Sequence, residues 1–408
     1  MPVASPGQVT HASFVNPFGA SSVALVILAG VSACVGGYES PGGAGDAGGD
    51  ASGIDATLDA GGEASGCGQG AICDGTCVDT RSSSENCGAC GHACGGGKCQ
   101  DGACAPVLVA SNVAQPRGVA AAGGSVFWLR NGGVERCPVT GCTGGPTVIW
   151  NDVALAINQP GGTTIVTDGN QVAWMATGNA GGNGRDIFQC GVVGCVNGFF
   201  PKVATGLNDT PTQIAVEGST LFASQNTGSA RQGPLSTLAM LGTGLGSDVP
   251  TGIAADASYI YIAGFAQSAA GVDRCTRAAT GVCTDRVRLF LGATYIAAAG
   301  GFVFATSGDG IKQCAAAGCG GNATVIMPGD KTAAAIAASS SFAAWVNSGS
   351  ASTADGTVRA CALPACTAPR TVATGQEQPV GVTIADGFVY WANRGVGTGS
   401  GSIWRAAL

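Results

Sequence analysis

Nineteen cysteines and two histidines are the side chains in this sequence whose types and spacing could do chemistry. A thiol can bind a soft metal, attack as a nucleophile, carry a lipid or close a disulfide, and its compartment and neighbours decide which. The cysteines fall into three sets. Cys34 stands alone after an apolar run, and Cys67, Cys73, Cys77, Cys87, Cys90, Cys94, Cys99 and Cys104 crowd together. The last ten form close pairs: Cys137/Cys142, Cys190/Cys195, Cys275/Cys283, Cys314/Cys319 and Cys361/Cys366. Both larger sets are even, which predicts disulfides and an oxidising compartment. The histidines are His11 and His92, so the chain after Cys104 has none. A Ser/His/Asp triad and a His/carboxylate metal cluster are therefore excluded from that part, and no catalytic residue, metal or cofactor is expected there. Carboxylate-only hydrolysis would need two acids facing one bond. Asp168, Asp256 and Asp386 recur near turns, where a carboxylate serves as a turn former.

The bulk composition points the same way. Charged residues make up 11% of the 408 residues and seventy are glycine, which suits short strands and turns better than helices. Residues 1–105 hold ten acids against Arg81 and Lys98, leaving fifteen acids and sixteen bases for the rest. No basic stripe follows a phosphate backbone, so nucleic acid is not an expected partner.

Residues 23–31 (VALVILAGV) are too short to span a bilayer and run into Val31-Ser32-Ala33-Cys34. The pattern resembles a bacterial lipoprotein signal, although no Lys or Arg precedes Cys34. The resemblance implies lipidation of Cys34, cleavage before it and an anchor in a membrane. Val35 and Gly36 differ from an inner-membrane retention signal, so the expected location is the outer membrane or cell surface. Residues 34–66 then read as the lipidated cysteine and a disordered spacer: Asp46, Asp50, Asp55, Asp59 and Glu63 recur among Gly, Ala and Ser with little to bury. These acids lack the dense spacing of a calcium loop.

The module at 67–105 has eight cysteines and few large apolar residues, so crosslinks must hold its shape. Eight cysteines allow 105 pairings, and the connectivity stays open. Zinc is the rival reading, because Cys87, Cys90, His92 and Cys94 are close in sequence; export argues against it. Cys77-Val78-Asp79-Thr80-Arg81, Glu85-Asn86-Cys87-Gly88-Ala89-Cys90-Gly91-His92-Ala93-Cys94, Cys99 and Cys104 together resemble the stigma-specific cysteine-rich family, whose modules also occur in exported proteins of myxobacteria. That resemblance implies an extracellular interaction unit.

Residues 106–408 repeat. Val119, Ile165, Ile214, Ile253, Ile296, Ile336 and Val382 start each unit, followed by Val126, Val172, Leu221, Ile260, Val303, Ala343 and Val389. Two positions further on stand Trp128, Trp174, Ala223, Ile262, Ala305, Trp345 and Trp391. Third strands are expected at 134–137, 187–190, 235–238, 272–275, 311–314, 358–361 and 403–406, with Leu238 and Ala406 where the other units have cysteine. A period of about forty to forty-five residues with several short strands per unit predicts an all-β, seven-bladed β-propeller, with a β-solenoid as the alternative. The last unit is one strand short, and the orphan strand at 106–110 can complete it. The expected organisation is thus 1–33 signal, 34–66 linker, 67–105 module and 106–408 propeller.

In a four-stranded meander the cysteine pairs staple hairpins on one face, leaving the other for loops expected at 177–186, 225–233, 263–271, 347–356 and 393–401. Such loops on a rigid scaffold commonly bind. The candidate binding face is Asn131, Arg185, Arg231, Asn393 and Arg394, near Trp128, Trp174, Trp345 and Trp391, which either border that face or form core between blades. The expectation is a monomeric, exported binding or scaffold protein, not an enzyme, tethered to a membrane by lipid and recognising a glycan, peptide or envelope protein. The alternative is an extracellular propeller hydrolase or lyase on glycan or peptide. Propeller enzymes resembling streptogramin lyases use histidine and acid at the channel mouth, which this propeller cannot supply.

Overall fold

The computed structural model describes residues 67, 70–130, 132–151, 165–177, 185–195, 211–225, 229–236, 241–244, 249–266, 269–277, 285–397 and 399–408. All of them belong to one compact unit running from Gly62 to Leu408. The signal segment, Cys34 and the acidic spacer lie outside the described residues.

The module contains two small hairpins, β1 (Ala71–Cys73) with β2 (Thr76–Val78) and β3 (Cys99–Gln100) with β4 (Ala103–Cys104). After β5 (Val107–Val113) the chain builds seven antiparallel sheets. The first is β6 (Gly118–Ala122), β7 (Ser125–Arg130), β8 (Gly133–Pro138) and β9 (Thr147–Asn151). The second shows β10 (Ile165–Thr167), β11 (Gln171–Thr177) and β12 (Arg185–Gly191) among the described residues. The third is β13 (Pro211–Glu217), β14 (Thr220–Gln225), β15 (Ser229–Pro234) and β16 (Leu241–Gly244). The fourth is β17 (Val249–Ala255), β18 (Tyr259–Ala266), β19 (Ala269–Thr276) and β20 (Val287–Leu291). The fifth is β21 (Ile296–Ala299), β22 (Phe302–Ser307), β23 (Gly310–Ala315) and β24 (Thr324–Met327). The sixth is β25 (Ala333–Ala338), β26 (Phe342–Asn347), β27 (Gly356–Ala362) and β28 (Arg370–Gln376), and the seventh joins β29 (Pro379–Ala385), β30 (Phe388–Asn393) and β31 (Gly401–Ala407) to β5. This is a seven-bladed β-propeller whose last blade is completed by the first propeller strand.

The repeated spacing has a direct cause in the register. Val119 pairs with Trp128, Ile165 with Trp174, Ile214 with Ala223, Ile253 with Ile262, Ile296 with Ala305, Ile336 with Trp345 and Val382 with Trp391. The first two strands of a blade can be joined by a tight turn with both central residues at positive φ, as at Gly123-Gly124 (58° and 71°) and Asp386-Gly387 (51° and 77°). Second strands such as β7, β22 and β26 are buried over four or more consecutive residues, because each blade is covered on both faces by its neighbours. Innermost strands are edges, which is why Pro211 and Pro379 can open β13 and β29, and Pro250 can stand second in β17, each beside a register shift.

The third blade departs from expectation. Its third strand is Ser229–Pro234, not 235–238, and the register places Gly233 opposite Leu221 where other blades have cysteine. With no cysteine to mark the strand's end, the sequence pattern slid past it. In the fourth blade, 263–271 is mostly paired strand, from Ala263 opposite Val272 to Ala266 opposite Ala269. Small residues on both strands let the hairpin extend there. Residues 348–355 and 394–400 do form interstrand connections on the face away from the cysteine hairpins.

The disulfides are Cys137–Cys142, Cys190–Cys195, Cys314–Cys319 and Cys361–Cys366 in the blades, with Cα separations of 5.0–5.5 Å. Cys275 is also disulfide-bonded, while Cys283 lies outside the described residues. In the module the pairs are Cys67–Cys77, Cys73–Cys90, Cys87–Cys99 and Cys94–Cys104. Peptide mapping without reduction should recover these eight links and none between blades. Replacing Cys361 and Cys366 together with serine should lower unfolding stability by about 2 kcal/mol, the loop-closure effect of so short a crosslink. A variant as stable as the parent by denaturant titration would show that the staple contributes nothing.

Candidate functional site

The seven innermost strands surround an axial cavity of about 230 Å³. Its walls are Val, Ala and Ile, from Val119, Ile165 and Val216 around to Ile336 and Val382, with Thr167 and Thr383 the polar side chains. No titratable side chain is among these lining residues. The wall therefore offers backbone amides and carbonyls and two hydroxyls, which can hold water or a small polar group but supply no acid or base.

Acids and amides instead sit between the blades. Trp128 Nε1 donates to Glu135 Oε2 at 3.0 Å, and Arg130 Nε to Glu135 Oε1 at 2.6 Å. Trp345 Nε1 donates to Asp330 Oδ2, which Arg359 Nε also approaches at 3.2 Å. Trp391 Nε1 and Asn393 Nδ2 both donate to Gln376 Oε1, at 2.8 and 2.9 Å. Trp128, Trp174, Trp345 and Trp391 are each 0% exposed, so they are core and not a platform on the surface. Sequence reasoning missed Asp330 and Gln376. A signal was present: each lies fifteen residues before the tryptophan it serves.

The five face residues have different surroundings. Asn131 lies outside the described residues. Arg185 opens β12 opposite Thr177. Arg231 is in β15, opposite Ala223, with its Nε donating to Gln225 Oε1 at 3.0 Å. Asn393 is 4% exposed, and its buried Oδ1 has no partner among the described residues. Arg394 is half-buried, and its backbone N–H donates to Gln378 O. Beside it the structure adds Arg117, whose backbone N–H donates to Leu129 O. Burial first, then the charge of Arg394, hold the Arg117 guanidinium below the usual arginine value. Close backbone packing makes this seam: a Cβ on Gly381 would lie 2.9 Å from Gly118 Cα. The neighbouring connection is well knit, with Ser350 N–H and hydroxyl donating to Asp355 at 2.7 and 2.8 Å and Ser348 Oγ to Pro379 O at 3.0 Å.

The recurring aspartates are turn formers. Asp168 Oδ1 accepts from the N–H groups of Asn170 and Gln171, Asp256 Oδ1 from those of Ser258 and Tyr259, and Asp386 occupies a turn at positive φ. The zinc alternative meets sulfurs already bonded. Cys87, Cys94 and Cys104 bring their Sγ atoms within 4.8 Å of one another, but Cys87 is linked to Cys99 and Cys94 to Cys104. His92 turns its ring nitrogens to Cys87 O and Leu408 O, at 2.5 and 2.9 Å.

No protein-family model matches the chain, and no curated protein matches it. Among solved structures it is similar to one described as a nidogen/laminin complex, at 14% identity and a TM-score of 0.45, over 64% of this chain and 97% of that one. It is also similar to the computationally designed Ika8 protein, at 11% identity and a TM-score of 0.44, over 74% of this chain and 98% of that one. The class of protein is set by the strand pairing itself: a disulfide-stapled propeller with a cystine-rich module ahead of it.

The tryptophan contacts predict a cost that a surface platform would not have. Trp345→Phe should destabilise the protein by about 1–3 kcal/mol, because it leaves the buried Asp330 carboxylate short of a donor. Denaturant unfolding of the variant checks this; an unchanged midpoint would count against the buried hydrogen bond.

Proposed function

We propose that this chain is an exported, lipid-anchored binding or scaffold protein that displays the unstapled face of its propeller at the cell envelope. The observation that carries the reading is the contrast between channel and rim. The residues lining the channel include no acid, base or histidine, whereas the seam of the first and seventh blades carries Arg117 and the half-buried Arg394 beside the 348–355 connection. Hydrolysis or elimination needs a positioned proton donor and acceptor at one bond. Binding needs only a rigid frame and polar groups that converge.

The many disulfides fit an exported protein. Within this proposal the anchor is the lipid on Cys34, the location the outer membrane or cell surface, and the module a stigma-specific type unit. The partners are the membrane, through the lipid, and a glycan, peptide or envelope protein at the rim. No catalytic step and no cofactor is assigned.

Two measurements test it. In a bacterium that processes lipoproteins the protein should incorporate labelled palmitate and partition into detergent, and Cys34→Ser should abolish both; undiminished labelling in the variant would remove the anchor. Screened against envelope glycans and peptides, the parent should bind without turnover. Arg394→Ala combined with Arg231→Ala should weaken binding by about 1–3 kcal/mol, while Thr140→Ala on the stapled face leaves it unchanged. Turnover of a bound glycan or peptide would replace the binding role with an enzymatic one.

A further inference from the structure

The stapled hairpins hold more than their own blades. Arg136 Nη1 donates to Val192 O at 2.5 Å, Arg274 Nη1 to Ala316 O at 2.6 Å and Gln313 Nε2 to Pro364 O at 2.8 Å. Each donor stands one residue before its blade's first cysteine. Each acceptor lies inside the next blade's disulfide hairpin: Cys190–Cys195, Cys314–Cys319 or Cys361–Cys366. The hairpins are thus rigid catches into which a neighbour's side chain reaches.

The seventh blade has a residue at the same reaching position, but the bond it makes is to the module. Arg405 stands opposite Tyr390, as Arg136 stands opposite Phe127 and Arg274 opposite Tyr261, and Ala406 follows where cysteine would be. Its guanidinium donates to Gly95 O of the cysteine-rich module and lies 4.8 Å over the Phe388 ring. Other contacts converge on the same spot. His92 Nε2 meets Leu408 O at 2.9 Å, and Cys87, Cys94 and Cys104 share a buried cluster with Ala407, against which Phe388 packs. Gly95 has φ +57°, and a Cβ there would run into the Phe388 ring. The position of the module is equally specific. β5 follows it after Ala105 and Pro106 and pairs with β31, with Val107 opposite Arg405. The module therefore grips the end of the strand pair that closes the ring.

We propose that the cysteine-rich module is the clasp of the propeller: it gives Arg405 the catch that Arg136, Arg274 and Gln313 find in the next blade's hairpin, and it holds the β5–β31 closure shut. Terminal strand pairs fray from their ends, and the docked end is the one at Val107, Arg405 and Leu408. A cystine-knotted body suits this task, since its crosslinks have already removed the conformational freedom that docking would otherwise cost. Coupling of this kind is reciprocal, so a lesion on either side of the contact must be felt on the other.

Hydrogen exchange on the full chain tests this with two substitutions. Gly95→Ala changes a module residue and pushes its methyl against Phe388 at the contact; it should speed exchange at least about tenfold in Val107–Val113 and Gly401–Ala407, with β22 and β26 unchanged. Arg405→Ala alters only the blade, yet it should speed exchange at the amides of Cys87, Cys94 and Gly97, whose bonds to His92 O, Ser84 O and Cys94 O order the module. If each substitution loosens only its own side, the module is a passenger and the proposal fails. If Gly95→Ala does not fold, the Arg405→Ala result decides alone: faster exchange in the module supports the clasp, and unchanged exchange there overturns it.

Discussion

Ring closure by β5 on β31 is the contact on which everything else depends. Four residue pairs set its register: Gly401 with Val113, Ile403 with Ala110, Trp404 with Leu108 and Arg405 with Val107. A blade alone cannot bury both faces of its middle strands; it needs a neighbour on each side. An open ring would leave the first and seventh blades half-covered, with Trp128 and Tyr390 at the break. Closing it through the two ends of the propeller commits the whole circle to fold together. The entropy lost in closing so long a loop grows only logarithmically with its length, so one four-stranded sheet suffices to hold it.

The crosslinks divide the molecule into two faces with different tasks. Four described blade disulfides close loops of sequence separation five, all after third strands and therefore all on one side. That side also carries the bonds that Arg136, Arg274 and Gln313 make to the next blade, and the docked module. The opposite side is joined by connections of variable length, held by serine and aspartate hydrogen bonds such as those of Ser350 with Asp355 and Gly397 N–H with Ser400 Oγ. Rigidity on one face frees the other to vary without loosening the ring.

Polar groups between the blades explain how the apolar repeats are kept in register with one another. The indole N–H of Trp345 crosses to Asp330, beyond the outer strand of the fifth blade, and that of Trp391 crosses to Gln376 in β28. Each such bond satisfies a donor that burial would otherwise strand, and it does so only at one rotation of blade against blade. The same geometry leaves Asn393 Oδ1, itself buried, without a partner among the described residues.

The blade number, the closure by an N-terminal strand and the local cysteine pairs were all legible in the sequence, because each depends on short-range spacing. A two-residue period and a fixed turn length place Ile336 opposite Trp345 wherever the blade ends up, and a sequence separation of five leaves the cysteines few other partners. The third blade was misread for the same reason: Gly233 stands where a cysteine would have marked the strand's end. Pairings within the module were not legible, since eight thiols at similar spacing are compatible with many connectivities. Nor was the fate of Asn393, buried against Gln376, or the meeting of Arg117 with Arg394 from opposite ends of the propeller. Only the closed ring decides those contacts, because they join residues that no local pattern relates and that come together once seven blades have turned through a full circle.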